Sequence, residues 1–346
     1  MANHADNVGI EETIYDTVII GGGIAGLTAA YMLRDKKLLL LEQEDRFGGR
    51  VWSEKINETT YNIGTQYLNE EETSFIKLVD ELGIERVTHD VRSTPIALYL
   101  NNNLYLDIFS LMNLKIVLGG LRLFSNMYRK SKTFQLPPDD PRWQTLAKQN
   151  LKDLQKGYGP ELLALVNSYL KGACLSKPER TSAGIGALLT MDIFYAGDLA
   201  FVTGGTQKIT DKMVSILNGK IMNRAGVVKV EEKDGIVSTY FQQNGKEHII
   251  KSKSAVMAVP PQTALKLIPQ LPDWKNEALS KIDYGPLIIV SVFLERNIPW
   301  KRWMAMLCNN LFFTIISDVT FDTDSDKNED NPIIYNFIIW LYRKPK

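Results

Sequence analysis

The feature that most constrains this chain is a cluster of glycines placed between a short apolar strand and a helix-forming segment. Residues 17–20 form a largely β-branched, apolar run that is typical of a buried parallel strand. They lead into a G-x-G-x-x-G pattern made by Gly21, Gly23 and Gly26. Residues 27–33 then favour a helix, because small and straight-chain side chains predominate there.

A second apolar run and an acidic residue complete the pattern. Residues 38–41 are four leucines, and Glu42 follows them about 20 residues after the first glycine, which is the usual spacing of a dinucleotide-binding unit. A carboxylate at this point can accept hydrogen bonds from the hydroxyls of a ribose and repels a 2′-phosphate. The sequence therefore predicts a site for a dinucleotide other than NADP.

Each glycine has a mechanical role in such a site. Gly21 permits a tight turn after the strand, Gly23 lets the backbone approach a pyrophosphate, and Gly26 allows close packing of helix on strand. The N-terminus of the helix then offers unpaired N–H groups and the positive end of its dipole to the phosphates. Ile24 and Ala25, in the glycine stretch before that predicted helix, are also predicted to contact the cofactor.

The residues after Glu42 resemble a known family. Arg46, Gly48, Gly49 and Arg50 form an R-x-G-G-R pattern, and the whole stretch resembles the flavin-containing amine oxidase superfamily. That group includes monoamine and polyamine oxidases, protoporphyrinogen oxidase and phytoene-type desaturases. The resemblance implies FAD as the cofactor, with the two glycines close to it and a guanidinium paired with its pyrophosphate.

A segment after the glycine loops resembles the stretch that the family lays against the flavin. The family usually has Asp-x-Gly there, whereas this chain has Asn62 in the place of the aspartate. The resemblance implies cofactor contacts for four residues of this segment: Gly64, Thr65, Gln66 and Tyr67.

Later segments follow the family's order. Residues 201–206 resemble its Gly-Gly loop, and residues 255–261, which include Ala258, resemble its V-x-A-x-P strand end. The apolar residues around positions 227, 230 and 249 predict strands of a small β-meander, with a turn at residues 233–235. In the family the position of Val227 lies against the adenine half of FAD. Val227 and Ala258 are accordingly predicted to contact the cofactor.

The fold class predicted from this resemblance is α/β. It consists of a Rossmann-type FAD-binding domain, in which a parallel sheet carries a β-meander, and of an inserted α+β substrate domain. The FAD-binding domain is expected in two parts, residues 1–90 and 200–285. The substrate domain is expected as a helical part, residues 91–199, and a sheet part, residues 286–346. Apolar residues recur at three and four positions over residues 111–128 and 143–175, which predicts helices there. Residues 287–294 and 332–341 are predicted to be strands of the sheet part.

The resemblance implies an FAD-dependent oxidoreductase that takes a hydride from a C–N or C–C bond of a small or lipophilic substrate to flavin N5. Protoporphyrinogen oxidation and polyene desaturation are the alternatives. Electrons would pass on to oxygen, a quinone or a protein, since the sequence has no second dinucleotide motif and no redox cysteine pair. Lys301, in a Pro-Trp-Lys-Arg stretch, is at about the place where amine-oxidising members carry a lysine that reaches flavin N5 through water. The resemblance makes Lys301 the catalytic candidate, and an ordinary surface lysine is the alternative.

Composition excludes several other classes of protein. Forty basic residues balance 40 acidic ones, which argues against a nucleic-acid partner. Two cysteines and three histidines, widely scattered, give no basis for a metal site and suggest a reducing compartment. No leader precedes the first strand, so a cytoplasmic location is expected. Residues 104–127 are apolar but interrupted by charges, which favours a helix packed on a core, on a membrane surface or beside a lipophilic substrate.

One departure from the family bears on activity. The chain ends at Lys346, before the glycine-rich strand and helix with which family members close their flavin site. A truncated chain of uncertain activity is therefore expected, and a non-catalytic FAD-binding remnant is an alternative. An NAD-dependent dehydrogenase is a third reading, favoured by the first glycine motif alone.

Overall fold

The structure is a computed structural model, and it describes residues 14–56, 59–89, 96–100, 103–105, 114–174, 177–194, 198–282, 284, 287–294, 304–307, 313–318 and 333–340. Contacts within the chain divide it into two compact units. The first contains residues 1–53, 79–84 and 206–283, and the second contains residues 54–78, 85–205 and 284–346. The domain boundaries expected from the sequence stay a prediction.

The strands that the structure describes are numbered in chain order: β1 Tyr15–Ile20, β2 Leu38–Leu41, β3 Ser53–Ile56, β4 Thr59–Asn62, β5 Leu68–Asn69, β6 Arg86–His89, β7 Ile96–Leu100, β8 Asn103–Tyr105, β9 Leu199–Val202, β10 Ile221–Met222, β11 Gly226–Lys233, β12 Ile236–Gln243, β13 Lys246–Met257, β14 Leu287–Leu294, β15 Met304–Leu307, β16 Phe313–Asp318 and β17 Ile333–Trp340.

The described helices are α1 Ile24–Met32, α2 Thr73–Glu81, α3 Leu114–Phe134, α4 Pro141–Ala147, α5 Leu151–Leu154, α6 Pro160–Cys174, α7 Ala183–Phe194, α8 Gln207–Ile216, α9 Pro261–Leu267 and α10 Asp273–Ser280. None of them is long and apolar enough to cross a membrane.

The sheet of the first unit has the order β10-β2-β1-β13-β12-β11. The strands β10, β2, β1 and β13 are parallel, and β13, β12 and β11 continue as an antiparallel meander. In the centre Val18 has Leu39 on one side and Ala255 on the other. Val18 is fully buried, as expected for a parallel strand that is covered on both faces.

Two short turns build the meander. Asp234 and Gly235 both have positive φ, 53° and 76°, and Asn244 and Gly245 repeat this geometry with 52° and 74°. Residues with positive φ at both central positions give the two-residue turn whose twist matches antiparallel strands. The turn predicted at residues 233–235 is thereby confirmed.

The second unit contains a mixed sheet and a helical cluster. The sheet has the order β14-β17-β16-β15-β7-β8, in which β15 and β7 are parallel and the other neighbours antiparallel. The strands predicted at residues 287–294 and 332–341 are its β14 and β17. The helices α3 to α7 pack around one apolar core, which includes Leu123, Met127, Leu151 and Ala187.

The apolar recurrence over residues 143–175 predicts helix, and the structure has three separate helices in this stretch, α4, α5 and α6. Asn150 starts α5 with a capping box, in which its side chain and that of Asp153 bind each other's backbone N–H. Gly157, at a φ of 85°, then reverses the chain, and Pro160 begins α6.

Candidate functional site

The first glycine loop of the fingerprint lies between the ends of two parallel strands. Gly21 donates its N–H to the carbonyl of Leu41 at 2.9 Å, and Ala258 donates its N–H to the carbonyl of Ile20 at 2.8 Å. Gly21 has a φ of 101°, and a Cβ on it would lie 2.7 Å from the carbonyl oxygen of Ala258. Only glycine fits here, both sterically and conformationally.

Helix α1 approaches this loop without any intervening side chain. A Cβ on Gly26 would lie only 1.8 Å from the carbonyl oxygen of Gly21, so close packing at Gly26 depends on glycine. Gly23, at the N-cap of α1, is different, since a Cβ there would meet no atom within 4 Å. Gly23 is the N-cap residue, and no side chain forms a capping hydrogen bond there. The first turn of α1, which contains Ile24 and Ala25, therefore begins next to the open space at Gly23.

That open space fits the pyrophosphate of a dinucleotide. The first N–H groups of a helix lack intrahelical partners, and they attract anions together with the helix dipole. The absence of a Cβ at Gly23 leaves room for a phosphate to approach these N–H groups. Filling this space would exclude the ligand and leave the protein's own packing intact.

The acidic residue at the end of β2 holds two parts of the loop. One carboxylate oxygen of Glu42, Oε2, accepts the N–H of Gly22 at 2.6 Å, and the other, Oε1, accepts the N–H of Glu44 at 2.9 Å. Each carboxylate oxygen has a second lone pair. Glu42 is half-buried, so capacity for ribose hydroxyls remains at the surface.

The second glycine pair packs directly on the first loop. Gly48 donates its N–H to the carbonyl of Gly22 at 2.8 Å. Gly48 and Gly49 have φ values of 108° and 57°, and a Cβ on Gly49 would lie 3.1 Å from the Cα of Gly23. The two glycine motifs therefore form one continuous backbone surface beside the start of α1.

The two arginines of the R-x-G-G-R pattern have different surroundings. Arg46 donates to the carbonyl oxygen of Gly49 at 2.7 Å, and its guanidinium lies over the ring of Trp52 at 4.2 Å. Arg50 is exposed and forms no hydrogen bond or ion pair with any residue that the structure describes. Arg46 thus stabilises the turn, whereas Arg50 is available to an anion. Their contact with FAD stays a prediction.

Sequence reasoning missed the segment between β10 and β11. The backbone N–H of Ala225 donates to the carbonyl of Glu42 at 2.8 Å, and that of Arg224 donates to Glu44 at 2.9 Å. The side-chain amide of Asn223 donates to the carbonyl of Asp45 at 2.6 Å. These bonds place the segment leading to Val227 alongside the acidic end of β2. No local signal in the sequence marks a contact between segments so far apart.

The predicted flavin-side segment, residues 61–67, belongs to the second unit. Hydrogen bonds within the segment hold its shape. Asn62 is fully buried and donates its amide to the carbonyl of Gln66 at 3.2 Å. The side chain of Gln66 donates back to the carbonyls of Asn62 and Gly64, both at 2.9 Å. Thr65 is half-buried, and the exposed ring of Tyr67 lies 6.0 Å from that of Phe201. An amide at position 62 thus closes the turn by donating, which a carboxylate could not do.

The phenol of Tyr61 is perturbed by its surroundings. Tyr61 donates its phenol to Glu54 at 3.1 Å. Burial, and then the hydrogen bond to Glu54, raise the pKa of Tyr61 above its usual value.

Lys301, the catalytic candidate, lies outside the described residues. Within the described ranges there is no group of three His, Cys, Asp or Glu side chains that could hold a metal ion.

Comparison with known proteins agrees with this geometry. The family profile described as flavin containing amine oxidoreductase matches residues 24–330. An amine oxidase [flavin-containing] of Oncorhynchus mykiss is 24% identical over 324 residues, which cover 84% of this chain and 59% of that protein. The chain spans about three fifths of the length of the curated relatives that it matches.

Solved structures show the same fold. A putrescine oxidase bound to putrescine superposes with a TM-score of 0.79 at 21% identity, covering 95% of this chain and 76% of that one. A protoporphyrinogen oxidase-like protein from Exiguobacterium superposes with a TM-score of 0.69 at 15% identity, covering 93% and 76% of the two chains. The predicted α/β fold class, a Rossmann-type FAD-binding fold, is confirmed.

Proposed function

The chain belongs to the flavin-containing amine oxidoreductase family, and on that premise we propose that it binds FAD and oxidises a small amine. The observation that carries the proposal is the open space at Gly23, in front of an α1 N-terminus that no side chain caps. A bound flavin would supply the redox chemistry, namely acceptance of a hydride equivalent from the substrate. The protein's own residues would bind and orient the flavin and the substrate.

In this proposal the glycine loops and the residues around them bind the pyrophosphate and the adenosine of FAD. The N–H groups at the start of α1 and the exposed guanidinium of Arg50 would hold the pyrophosphate. Glu42 would accept hydrogen bonds from the adenosine ribose, and Val227 would lie against the adenine. Arg46 would act indirectly, because its hydrogen bond to Gly49 holds the second glycine turn in place.

Residues of the segment after β4 are proposed as flavin contacts by resemblance alone. Gly64, Thr65, Gln66 and Tyr67 would contact the flavin, with the backbone shaped by the Asn62–Gln66 hydrogen bonds. Lys301 would act beside the reacting atoms, as the lysine of amine-oxidising family members does.

An amine substrate with oxygen as the electron acceptor is favoured by the relatives. These include flavin-containing amine oxidases and a putrescine oxidase seen with putrescine. Oxidation of a C–C bond in a lipophilic substrate is the second candidate. The protoporphyrinogen oxidase-like structure supports it, since the same fold is found there. A quinone or a protein as acceptor would accompany that second chemistry.

The proposal is tested on the purified chain by visible absorption, before and after FAD is added and excess removed. We expect an oxidised-flavin spectrum that survives desalting. Anaerobic mixing with putrescine, aromatic monoamines and protoporphyrinogen should then bleach the flavin with one class of substrate only. Bound flavin that none of these compounds reduces would identify a non-catalytic remnant. Tight binding of NAD with no uptake of flavin would instead show a dehydrogenase and overturn the proposal.

A further inference from the structure

Helix α3 has two very different faces. The helix has 21 residues, and three of them, Leu123, Met127 and Ser131, are buried in the helical core of the second unit. Leu114, Leu118 and Leu121 point the other way and are 74%, 58% and 63% exposed. These three leucines are spaced by four and three residues, so they share one face of the helix. Exposed large apolar side chains grouped in this way mark a contact surface.

The charges on α3 are all of one sign. The helix carries five basic residues and no acidic one, although the whole chain has 40 of each. Lys115, Arg122 and Arg129 recur every seven residues and are exposed, so they form a row along one border of the leucine face. The guanidinium of Arg122 lies over the ring of Tyr158 at 5.4 Å, which fixes its stem beside the face.

We propose that the N-terminal half of α3 rests on an anionic lipid surface. Leu114, Leu118 and Leu121 would enter the boundary between headgroups and acyl chains, as apolar residues of interfacial helices do. Lys115, Arg122 and Arg129 would pair with negatively charged headgroups. The contact is peripheral, because α3 is not apolar enough to span a membrane, and it does not depend on the proposed cofactor.

Charge favours lipid over a second copy of the chain as the occupant. A two-fold contact would place the same leucine face against itself and bring two basic rows together, with no acidic residue on α3 to pair with them. Like charges brought together in this way oppose association. An anionic bilayer, in contrast, offers both an apolar interior and negative headgroups to the same face.

Vesicle cosedimentation tests the proposal. The full chain should sediment with vesicles of phosphatidylcholine containing about 30% phosphatidylserine, release as salt is raised, and bind pure phosphatidylcholine much more weakly. The double variant Leu118→Gln/Leu121→Gln should lose binding. Its matched control is Val228→Gln/Ile249→Gln, two strand residues of the first unit that are 44% and 46% exposed. The control should bind as the wild type does.

A charge variant keeps the test informative if the leucine variant misfolds, which circular dichroism would reveal. Neutralising Lys115 and Arg122 together should weaken binding by about 25-fold, since each basic residue near an anionic surface contributes a factor of roughly five. Failure of the wild type to bind, equal binding to both vesicles, or equal loss in the control would overturn the proposal. A wild-type dimer in sedimentation velocity that dissociates in the leucine variant would show that a second copy occupies the face.

Discussion

The carboxylate of Glu42 accepts the backbone N–H of Gly22 at 2.6 Å, so the acid at the end of β2 also holds the first glycine loop. A second hydrogen bond, from the N–H of Glu44 at 2.9 Å, holds the turn that follows β2. Glu42 therefore has a structural role in addition to its proposed contact with the ribose. The stability of the apoprotein reports the first role and the affinity for FAD reports the second.

Replacing Glu42 by Gln should weaken both roles. An amide can present only one acceptor oxygen, so one backbone N–H would face the NH₂ group, and hydrogen bonds to a charged acceptor contribute about 1.5–3 kcal/mol each. We expect urea denaturation of the apoprotein to show a loss of that order, together with weaker FAD binding. Glu44→Gln is the control, since that exposed side chain contacts only the Gln43 amide among the bonds described. Unchanged stability in Glu42→Gln would contradict the structural role.

Two glycines three residues apart should respond to substitution in opposite ways. Gly23→Val adds atoms where a Cβ meets nothing within 4 Å, so the apoprotein should keep its melting temperature. FAD binding should fall at least tenfold (about 1.4 kcal/mol), because the pyrophosphate space is filled. Gly26→Ala places a Cβ 1.8 Å from the carbonyl oxygen of Gly21 and should destabilise the fold by about 1–3 kcal/mol or more. Full flavin occupancy in Gly23→Val would refute the assignment of this loop.

The two arginines should separate stability from cofactor affinity. Arg46→Ala removes the hydrogen bond to Gly49 and the stacking on Trp52, and it should lower the melting temperature of the apoprotein. Arg50→Ala should leave that temperature unchanged and weaken FAD binding by roughly ten- to a hundredfold, the effect of losing one hydrogen bond to a charged group. Calorimetry and fluorescence titration with FAD measure the two quantities. Identical behaviour of the two variants would contradict this division of roles.

The N-cap of α4 should give a stability change at low pH. Asp140 accepts hydrogen bonds from the guanidinium and backbone N–H of Arg142, which lower the pKa of Asp140 from its ordinary 3.8 to about 2. Because the folded pKa is depressed, the stabilisation is complete above about pH 4 and is lost as the pH falls to about 2. Asp140→Asn should therefore be less stable than wild type at pH 6, and the difference should shrink below pH 4 and vanish only below about pH 2. Asp139→Asn is the control that should show no such trend.

The catalytic assignment of Lys301 is tested by Lys301→Met. In the proposed enzyme this variant should retain bound FAD and lose about 100-fold or more of its amine turnover, the scale of a positioned proton-transfer group. Stopped-flow reduction and reoxidation of the flavin measure the effect. Lys281→Met is an exposed control, since the ion-pair partner of Lys281 among the described residues is Glu277. Rates equal to those of the wild type would contradict the catalytic assignment of Lys301.

Sequence reasoning was most successful where structure depends on near neighbours. The existence of β1, α1 and β2 follows from local apolar runs and glycines, although α1 begins at Ile24, three residues before the predicted start. The turn at residues 233–235 follows from Asp-Gly chemistry. It was less successful over residues 143–175, where apolar spacing alone does not show that Asn150 and Gly157 divide the segment. The contact of Asn223 with Asp45 was missed, because it joins residues that are 178 positions apart.

The sequence by itself determined the glycine-loop unit, because the positive φ of Gly21 and the close packing at Gly26 need a residue type that can be recognised locally. Only the tertiary structure decided that β13 pairs with β1 and brings Ala258 onto that loop. It also decided that Arg46 is engaged by Gly49 and that the leucines of α3 stay exposed. The physical reason is that partners and burial are set by backbone hydrogen bonding and packing between distant segments, which no local pattern specifies.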